Sequence, residues 1–312
     1  MSIMMVLEQV GMLAFIMLIG FVVAKTGYID IKIKDSISKL IVNLVLPCLI
    51  ISSISKEELK PELLADLGMV LVMTVFCIAI MFGIGALSAK ILKLPDSTAT
   101  IHKLLSCTGN IIFVGYPIIV AMYGEMGFFY AIIYWLVNDL FLWTVGVLML
   151  TKSKPEINKG GLLKRLTNPN TISFAVAILM FIFGIKLPPI VNSAVSGIGS
   201  LTIPLSMIFV GMVLATVDVK KTVKKWYILI LAPLKLIVIP ILFIQLFKFI
   251  GIKEMLIGVV VLEAAMPAQT VLTILSNEYG EDCDYAATGM FITTLASLAT
   301  LPLVCQFLNL WI

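Results

Sequence analysis

Residues 64–89 read LADLGMVLVMTVFCIAIMFGIGALSA, an apolar stretch whose single charge is Asp66. A stretch of this length can cross the hydrocarbon core of a bilayer, because about 20 residues of α-helix span about 30 Å. Nine other stretches have comparable length and character, at 4–24, 36–54, 101–122, 127–150, 168–187, 190–216, 226–247, 256–277 and 285–309. Backbone groups in lipid must be satisfied within the segment, so each stretch is expected to be helical. The sequence therefore predicts an all-α polytopic membrane protein with ten transmembrane helices.

The composition leads to the same class. Of the 312 residues, 61% are hydrophobic and 13% are charged, whereas soluble domains carry about 25% charged residues. These values exclude an ordinary cytosolic protein, a disordered chain and a nucleic-acid-binding protein, and they make the lipid bilayer the expected surroundings. The first stretch, 4–24, has no basic residues before it and no small-residue cleavage site, so we interpret it as a retained helix and not as a signal peptide.

The basic residues predict the orientation. Most of the 22 Lys and Arg residues lie in the connections that follow odd-numbered stretches. By the positive-inside rule these connections are cytoplasmic, which places both termini outside the plasma membrane. The longest connection, 151–167 (TKSKPEINKGGLLKRLT), is polar and rich in Lys and Gly. We interpret it as a cytoplasmic linker at the midpoint of the chain.

The two halves of the chain resemble each other at an offset near 156. LVLPCLIISSI at 44–54 aligns with LTIPLSMIFVG at 201–211, and the tripeptide YGE occurs at 123–125 and again at 279–281. Five helices per half is an odd number, so the second half should enter the bilayer upside down. This predicts two inverted five-helix repeats, 1–150 and 168–312. Inverted repeats are typical of secondary transporters, which hold the substrate near the midplane of the membrane.

The fourth and ninth stretches contain residues that interrupt helices. Gly109, Gly115 and Pro117 lie in the fourth, and Pro267 lies in the ninth. A break would expose the N-termini of half-helices, whose free N–H groups and positive dipole ends favour an anion. Irregular backbone at this depth is tolerated only where it lines a cavity or is buried in protein. We therefore expect helices four and nine to be broken and to line a site, and a simple proline kink is the alternative.

Polar side chains lie beside these expected breaks. Thr108 and Asn110 are in the fourth stretch, and Glu263 and Gln269 are in the ninth; Asn43 precedes Pro47 by four residues in the second. An interhelical hydrogen bond is the alternative role for Asn43. The residues predicted to bind substrate are Asn110, Gly115, Pro117, Pro267, Gln269, Lys235 and Asn43.

Three ionisable residues lie deep inside apolar stretches: Asp139, Lys235 and Glu263. A charge at this depth costs at least about 2.5–3.5 kcal/mol, so each group should be paired, neutral or facing a cavity. We expect Lys235 to pair with Asp139 or Glu263, or to contact a substrate carboxylate. Asp139 or Glu263 is the predicted residue for coupling to a proton or a sodium ion, and a purely structural ion pair is the alternative.

Motifs for catalysis and metal binding are missing from the sequence. There is no HExxH, no P-loop and no GxSxG, and the five Cys residues have no CxxC spacing. The single histidine, His102, lies beside a basic connection and is expected to be solvated or interfacial. We expect no enzyme activity, no metal site and no cofactor.

Several segments resemble the auxin efflux carrier family of permeases, which includes bacterial malate and malonate permease-like members. The matching segments are NLVLPCLIISSI (43–54), GNIIFVGYPIIVAMYG (109–124), NPNTISFAVAILMFIFGIKLPP (168–189), IPLSMIFVGMVLA (203–215) and EAAMPAQTVLTILSNEYGEDCDYAATGMFITTLASLATLPL (263–303). The N-x-x-F-x-G-x-P string and the A-M-P string with its downstream YG are the most specific parts.

The resemblance implies a scaffold domain from 1–54 and 168–216 and a transport domain from 64–150 and 226–312. It implies that substrate is held where broken helices four and nine cross, and that one domain moves against the other in an elevator-like cycle. The resulting hypothesis is a secondary transporter of a small organic anion, a carboxylate such as malate. The alternatives are a sodium-coupled carrier of a bulkier amphipathic anion, similar to bile acid transporters, and a membrane receptor or sensor that binds without translocating. The oligomeric state, including a homodimer, is left open.

Overall fold

The computed structural model describes residues 3–54, 61–151, 169–216 and 227–311. Within these ranges the regular structure is helical, apart from one isolated antiparallel bridge between Gly109 and Ala268. The prediction of an all-α membrane protein is confirmed for this part of the chain. Six of its helical segments are long and apolar enough to cross a membrane, at 33–53, 62–91, 111–150, 189–216, 228–250 and 283–311, and two shorter apolar helices lie at 11–25 and 171–182. The total of ten helices and their inverted arrangement stay predictions.

The described residues of the first half of the chain form seven α-helices. They are α1 (Ile3–Lys25), α2 (Ile33–Leu40), α3 (Leu46–Ile54), α4 (Pro61–Ile91), α5 (Asp96–Cys107), α6 (Tyr116–Phe141) and α7 (Val147–Leu150). Single π-helical turns join some of them, at Ile41–Val45, Ile111–Gly115 and Leu142–Gly146. Such turns occur mostly inside α-helices and often at functional sites. Gly124, with φ 64° and ψ −160°, interrupts the helical backbone within α6, between the fourth and fifth predicted stretches.

In the second half of the chain, residues 169–216 and 227–311 form eight α-helices. They are α8 (Pro169–Ile182), α9 (Pro189–Gly199), α10 (Thr202–Thr216), α11 (Ile228–Pro233), α12 (Ile239–Ile250), α13 (Glu254–Ala264), α14 (Thr270–Glu278) and α15 (Cys283–Trp311). A π-helical turn, Leu234–Val238, joins α11 to α12. The predicted cytoplasmic linker lies outside the described residues, except for Thr151.

The closest helix crossing joins α1 to α10. A Cβ atom added at Gly20 would overlap the backbone of Ile208, and one added at Gly211 would overlap the carbonyl of Met17. Small residues let membrane helices approach until their backbones touch, which increases their van der Waals contact. The two helices are therefore fixed to each other by glycines that leave no room for a side chain.

Many of the helix contacts fall into two sets, although α1 also packs against α6 and α15. In the first set, α1 packs against α10, and α3 packs against α8 and α9. In the second set, α4 packs against α5, α6 and α13, and α15 packs against α5, α11, α12 and α14. The broken segments of the chain belong to the second set.

His102 is fully buried, so the prediction that it is solvated is wrong. Its Nδ1 lies 2.6 Å from the Tyr285 hydroxyl, and its Nε2 lies 2.9 Å from the Ser88 hydroxyl. The reason is tertiary: α5 packs between α4 and α15, and the imidazole bridges both neighbours. A buried ring needs such partners because an unsatisfied polar group is costly.

Candidate functional site

The fourth apolar stretch is interrupted at residues 108–110. Helix α5 ends at Cys107, Thr108 is extended (φ −99°, ψ 132°), and helical structure resumes at Ile111. We call residues 108–110 break one. Pro117 is not the point of interruption, because helical structure has already resumed at Ile111 and continues past Pro117 through α6.

The ninth stretch is interrupted at residues 265–269, which we call break two. Helix α13 ends at Ala264, and Gln269 is extended (φ −70°, ψ 131°) directly before α14 begins at Thr270. Pro267 lies inside this break. Each of the two stretches is thus two half-helices joined by a short irregular segment.

The two breaks bind each other through their backbones. The Asn110 N–H donates to the Pro267 carbonyl at 2.7 Å, and Gly109 forms an antiparallel bridge with Ala268. A Cβ at Gly109 would lie only 3.3 Å from the Glu263 carbonyl oxygen. Backbone groups released from the helices are therefore partly satisfied across this contact, which we call the crossing.

Neighbouring side chains satisfy further groups of the crossing. The Gly109 N–H donates to Asn138 Oδ1 at 3.3 Å, and the Ala268 N–H donates to Thr293 Oγ1 at 2.9 Å. Asn138 also donates from Nδ2 to Gln269 Oε1 at 3.5 Å. Sequence reasoning missed Asn138 and Thr293. Asn138 could have been found as a second polar residue next to Asp139 in an apolar stretch, whereas Thr293 carries no such signal.

Lys235 lies at break one. It is 1% exposed, and its ammonium donates to the carbonyls of Ser106 at 3.2 Å and Thr108 at 3.0 Å. The expected ion pair with Asp139 or Glu263 is wrong, since the structure places neither carboxylate within ion-pair distance of this ammonium. The physical reason is that the C-terminal end of α5 presents unpaired carbonyls and a negative dipole end, which attract a cation.

Glu263 lies in the last turn of α13, next to break two. It is 1% exposed, and among the described residues neither carboxylate oxygen has a hydrogen-bond partner. A Cβ added at Gly115 would lie 2.5 Å from Glu263 Oε2. Glu263 is one of the residues that line a small cavity of about 20 Å³ with an apolar surface, which we call the Glu263 cavity. Its other lining residues are Leu46, Ile50, Ile111, Ile112, Tyr116, Phe128, Ala131, Ile132 and Trp135.

A larger cavity of about 130 Å³ lies on the crossing itself, and we call it the crossing cavity. Two predicted binding residues, Asn110 and Gln269, line it together with the predicted coupling residue Asp139. The Asp139 carboxylate lies beside the indole of Trp143 and the amide of Gln269. The remaining lining residues are Val42, Gly109, Ile111, Ile112, Phe113, Trp135, Thr270 and Val271.

The crossing cavity receives the N-terminal ends of two half-helices. Residues 111–113 form the first turn after break one, and residues 270–271 begin α14. Their backbone N–H groups have no hydrogen-bond acceptor among the described residues. Among the described residues no basic side chain lines the cavity, so these N–H groups and the positive dipole ends are the source of positive potential that the structure describes.

The other predicted binding residues lie elsewhere. Asn43 has an exposed side chain in the π-helical turn whose neighbour Val42 faces the crossing cavity. Gly115 contacts Glu263, Pro117 is buried at the start of α6, and Pro267 contributes its carbonyl to the crossing. Their roles in binding stay predictions, and Thr270, Trp135 and Trp143 are lining residues that the sequence analysis did not single out.

The sequence is similar to a known protein family and to individual proteins of other organisms. A protein family described as membrane transport protein matches residues 5–160 and 153–305. An uncharacterized transporter of Methanocaldococcus jannaschii is 25% identical, over 95% of this chain and 97% of the relative. An uncharacterized transporter of Methanothermobacter thermautotrophicus is 23% identical, over 95% and 96%. A putative malonate transporter of Rhizobium meliloti is 22% identical, over 88% and 89%.

Proposed function

Since the chain belongs to the membrane transport protein family, the auxin efflux carrier permeases, we propose that it is a secondary transporter of a small organic anion. The substrate is a carboxylate such as malate or malonate. The observation that carries this proposal is the meeting of two half-helix N-termini at one cavity on the crossing.

The charge of the substrate follows from the groups that line the crossing cavity. Unpaired N–H groups at helix N-termini bind anions in water-soluble proteins and in transporters, where broken helices direct them at the substrate. Here residues 111–113 and 270–271 line the crossing cavity and supply such groups. Asn110 and Gln269 add amide donors. A carboxylate group at each end of a short substrate would satisfy both N-termini.

The size of the substrate follows from the volume of the cavity. An engineered apolar cavity of about 150 Å³ holds a benzene molecule, and the crossing cavity measures about 130 Å³. A three- or four-carbon dicarboxylate matches this volume, whereas a bile acid is several times larger. The cavity thus favours a small carboxylate over the bulkier amphipathic anion of the alternative hypothesis. The name of the relative from Rhizobium meliloti, a putative malonate transporter, agrees with this choice.

The transport cycle is proposed to be an elevator-like movement. Helices from 1–54 and 168–216 would form the scaffold, and those from 64–150 and 226–312 would carry the crossing. The two sets of helix contacts support this division. The crossing cavity also lies between the two parts, because Val42 belongs to the scaffold whereas Asn110 and Gln269 belong to the moving part. The protein would lie in the plasma membrane with both termini outside.

Energy for uphill transport is proposed to come from a proton or a sodium ion, through Asp139 or Glu263. Asp139 faces the crossing cavity, and Glu263 faces the separate Glu263 cavity. Both carboxylates lie within the helices that the elevator model would move. Either could therefore change its surroundings during the cycle.

Counterflow into proteoliposomes tests the proposal. Purified protein is reconstituted with unlabelled substrate inside, and uptake of labelled malonate, malate, indole-3-acetate and taurocholate is measured. We expect exchange of malonate or malate, and impaired exchange or ion dependence in Asp139→Asn, Lys235→Ala and Glu263→Gln. Flux of taurocholate with strict sodium dependence would favour the bile-acid-like carrier. Ligand-induced thermal stabilisation without any flux would favour the receptor.

A further inference from the structure

We propose that Glu263 carries the coupling ion and that this ion is a proton. Asp139 would instead remain a substrate-facing acid of the crossing cavity. This inference rests on the proposed transport function. The sequence left open whether Asp139 or Glu263 couples transport, and whether the coupling ion is a proton or sodium.

The two acids occupy separate compartments. Asp139 lines the crossing cavity, Glu263 lines the Glu263 cavity, and the two cavities share the wall residues Ile111, Ile112 and Trp135. The indole of Trp135 and the first turn after break one therefore divide them. A coupling site at Glu263 would therefore be distinct from the substrate cavity.

The surroundings of Glu263 favour its neutral form. A buried carboxylate without partners is far more costly than a carboxylic acid, because the charge has lost its water and gained nothing in return. Its position in the last turn of α13 adds the negative end of the helix dipole, which opposes a second negative charge. A single proton removes both penalties.

Within the part of the chain that the structure describes, the groups around Glu263 provide no counter-charge. Tyr116 of α6 lines the cavity, and Tyr134 of the same helix is near enough to interact electrostatically with the carboxylate. Cys77 of α4 and Cys107 of α5 lie beside Tyr134. Phenols and thiols are neutral at neutral pH, and the ammonium of Lys235 is bound to the carbonyls at break one.

The shape of the Glu263 cavity favours a proton over sodium. Hard cations take about six oxygen ligands, whereas the described residues that line the cavity carry side-chain oxygens only at Glu263 and Tyr116, and the cavity surface itself is apolar. A sodium ion therefore has no ligand shell here, whereas a proton needs only one oxygen of the carboxylate. In this step a hydronium ion on one side of the membrane protonates the carboxylate, forming one O–H bond, and water on the other side accepts that proton later.

Two transport assays in proteoliposomes separate coupling from binding. The first measures accumulation of labelled malonate driven by an imposed pH gradient, and the second measures equilibrium exchange at equal pH. We expect Glu263→Gln, which mimics the protonated acid, to lose accumulation while exchange falls far less. Gly115→Ala should also lose accumulation, because its methyl group would displace the carboxylate. The matched control is Glu254→Gln, at the exposed start of the same helix, which should accumulate substrate like the wild type.

An infrared measurement reports the proton without any substrate. The wild type at neutral pH should show the C=O stretching band of a protonated carboxylic acid, and this band should be missing in Glu263→Gln. Wild-type accumulation should also persist when sodium is replaced by N-methylglucamine.

Three results would overturn the inference while transport stands: accumulation in Glu263→Gln equal to the wild type, loss of wild-type accumulation without sodium, or a missing infrared band. A wild type that shows the band but exchanges no carboxylate would instead overturn the proposed function, and the coupling with it.

Discussion

Break one and break two perform the same structural task with opposite side-chain chemistry. Each ends one half-helix inside the apolar part of the protein and begins another, and they bind each other directly at the crossing. The half-helix before break one ends against the ammonium of Lys235, whereas the half-helix before break two ends beside the unpartnered carboxylate of Glu263. A helix C-terminus attracts positive charge. At break one this positive charge is the ammonium of Lys235, which is part of the chain. At break two, on the proposal above, it would be a proton that binds to Glu263 and is later released.

A membrane helix can therefore be broken for two different purposes. At break one the permanent charge of Lys235 stabilises the carbonyls of Ser106 and Thr108 and is not exchanged with solvent. At break two the charge depends on whether Glu263 has bound a proton. On the proposal that Glu263 carries the coupling proton, the charge at break one is structural and the charge at break two is functional, and variants at each break can test that division.

The largest effect is expected from Lys235→Met. It removes the donor for two buried carbonyls, each costing about 1–3 kcal/mol when left unpaired, so thermal stability and transport of every substrate should fall together. Unfolding in detergent and malonate exchange measure both quantities. Lys90→Met, at an exposed position of α4, is the control. Retained stability with a raised KM for anions alone would show that Lys235 is a substrate ligand, as the sequence suggested, and the contrast between the breaks would fail.

A somewhat smaller effect is expected from Asn110→Ala and Gln269→Ala, one at each break. Each removes a donor from the crossing cavity, and a hydrogen bond to a charged group contributes about 1.5–3 kcal/mol, so KM should rise about tenfold or more in both. The KM is measured from the kinetics of malonate exchange. Equal increases in KM would support one anion bound by both half-helices, whereas an increase in only one variant would assign the substrate to a single break. Asn43→Ala, exposed in the structure, should change KM little.

The smallest effect is expected from Thr293→Val at break two. The variant removes the hydroxyl that accepts from the Ala268 N–H at 2.9 Å and keeps the shape of the side chain. A typical net contribution is about 1 kcal/mol, which corresponds to a fall of a few degrees in Tm. Thr293→Ser keeps the hydroxyl and should restore most of the loss. An unchanged Tm in Thr293→Val would mean that break two is held by the crossing alone.

The sequence predicted which stretches are broken, but it predicted less well at which residues each break lies. Gly109 and Pro267 do lie within the breaks, but Pro117 begins α6. Glycine and proline only make helix continuation less favourable. Where the chain leaves the helix depends on which partners await the freed backbone groups, here the Pro267 carbonyl and the Asn138 amide.

The side-chain partners were the least predictable part of the site. Sequence reasoning recognised that Lys235 and Glu263 needed an explanation, because charges at that depth are costly. It paired the charges with each other, since opposite charges are the only partners visible in a list of residues. Backbone carbonyls at the end of α5 are equally good partners for an ammonium, yet every residue carries one. The burial of His102 also escaped prediction, because its partner Tyr285 lies 183 positions away in the sequence.

The sequence alone determined that the protein lies in a lipid bilayer, that it is helical and that two of its stretches are interrupted. The length of the apolar stretches indicates the bilayer, the need to satisfy backbone groups in lipid indicates helices, and glycine and proline indicate the interruptions. Only the tertiary structure decided that the breaks bind each other, that Lys235 caps one of them, and that Asp139 and Glu263 face different cavities. Those facts depend on contacts between residues more than a hundred positions apart. No local pattern specifies such contacts, since they are set by how whole helices pack.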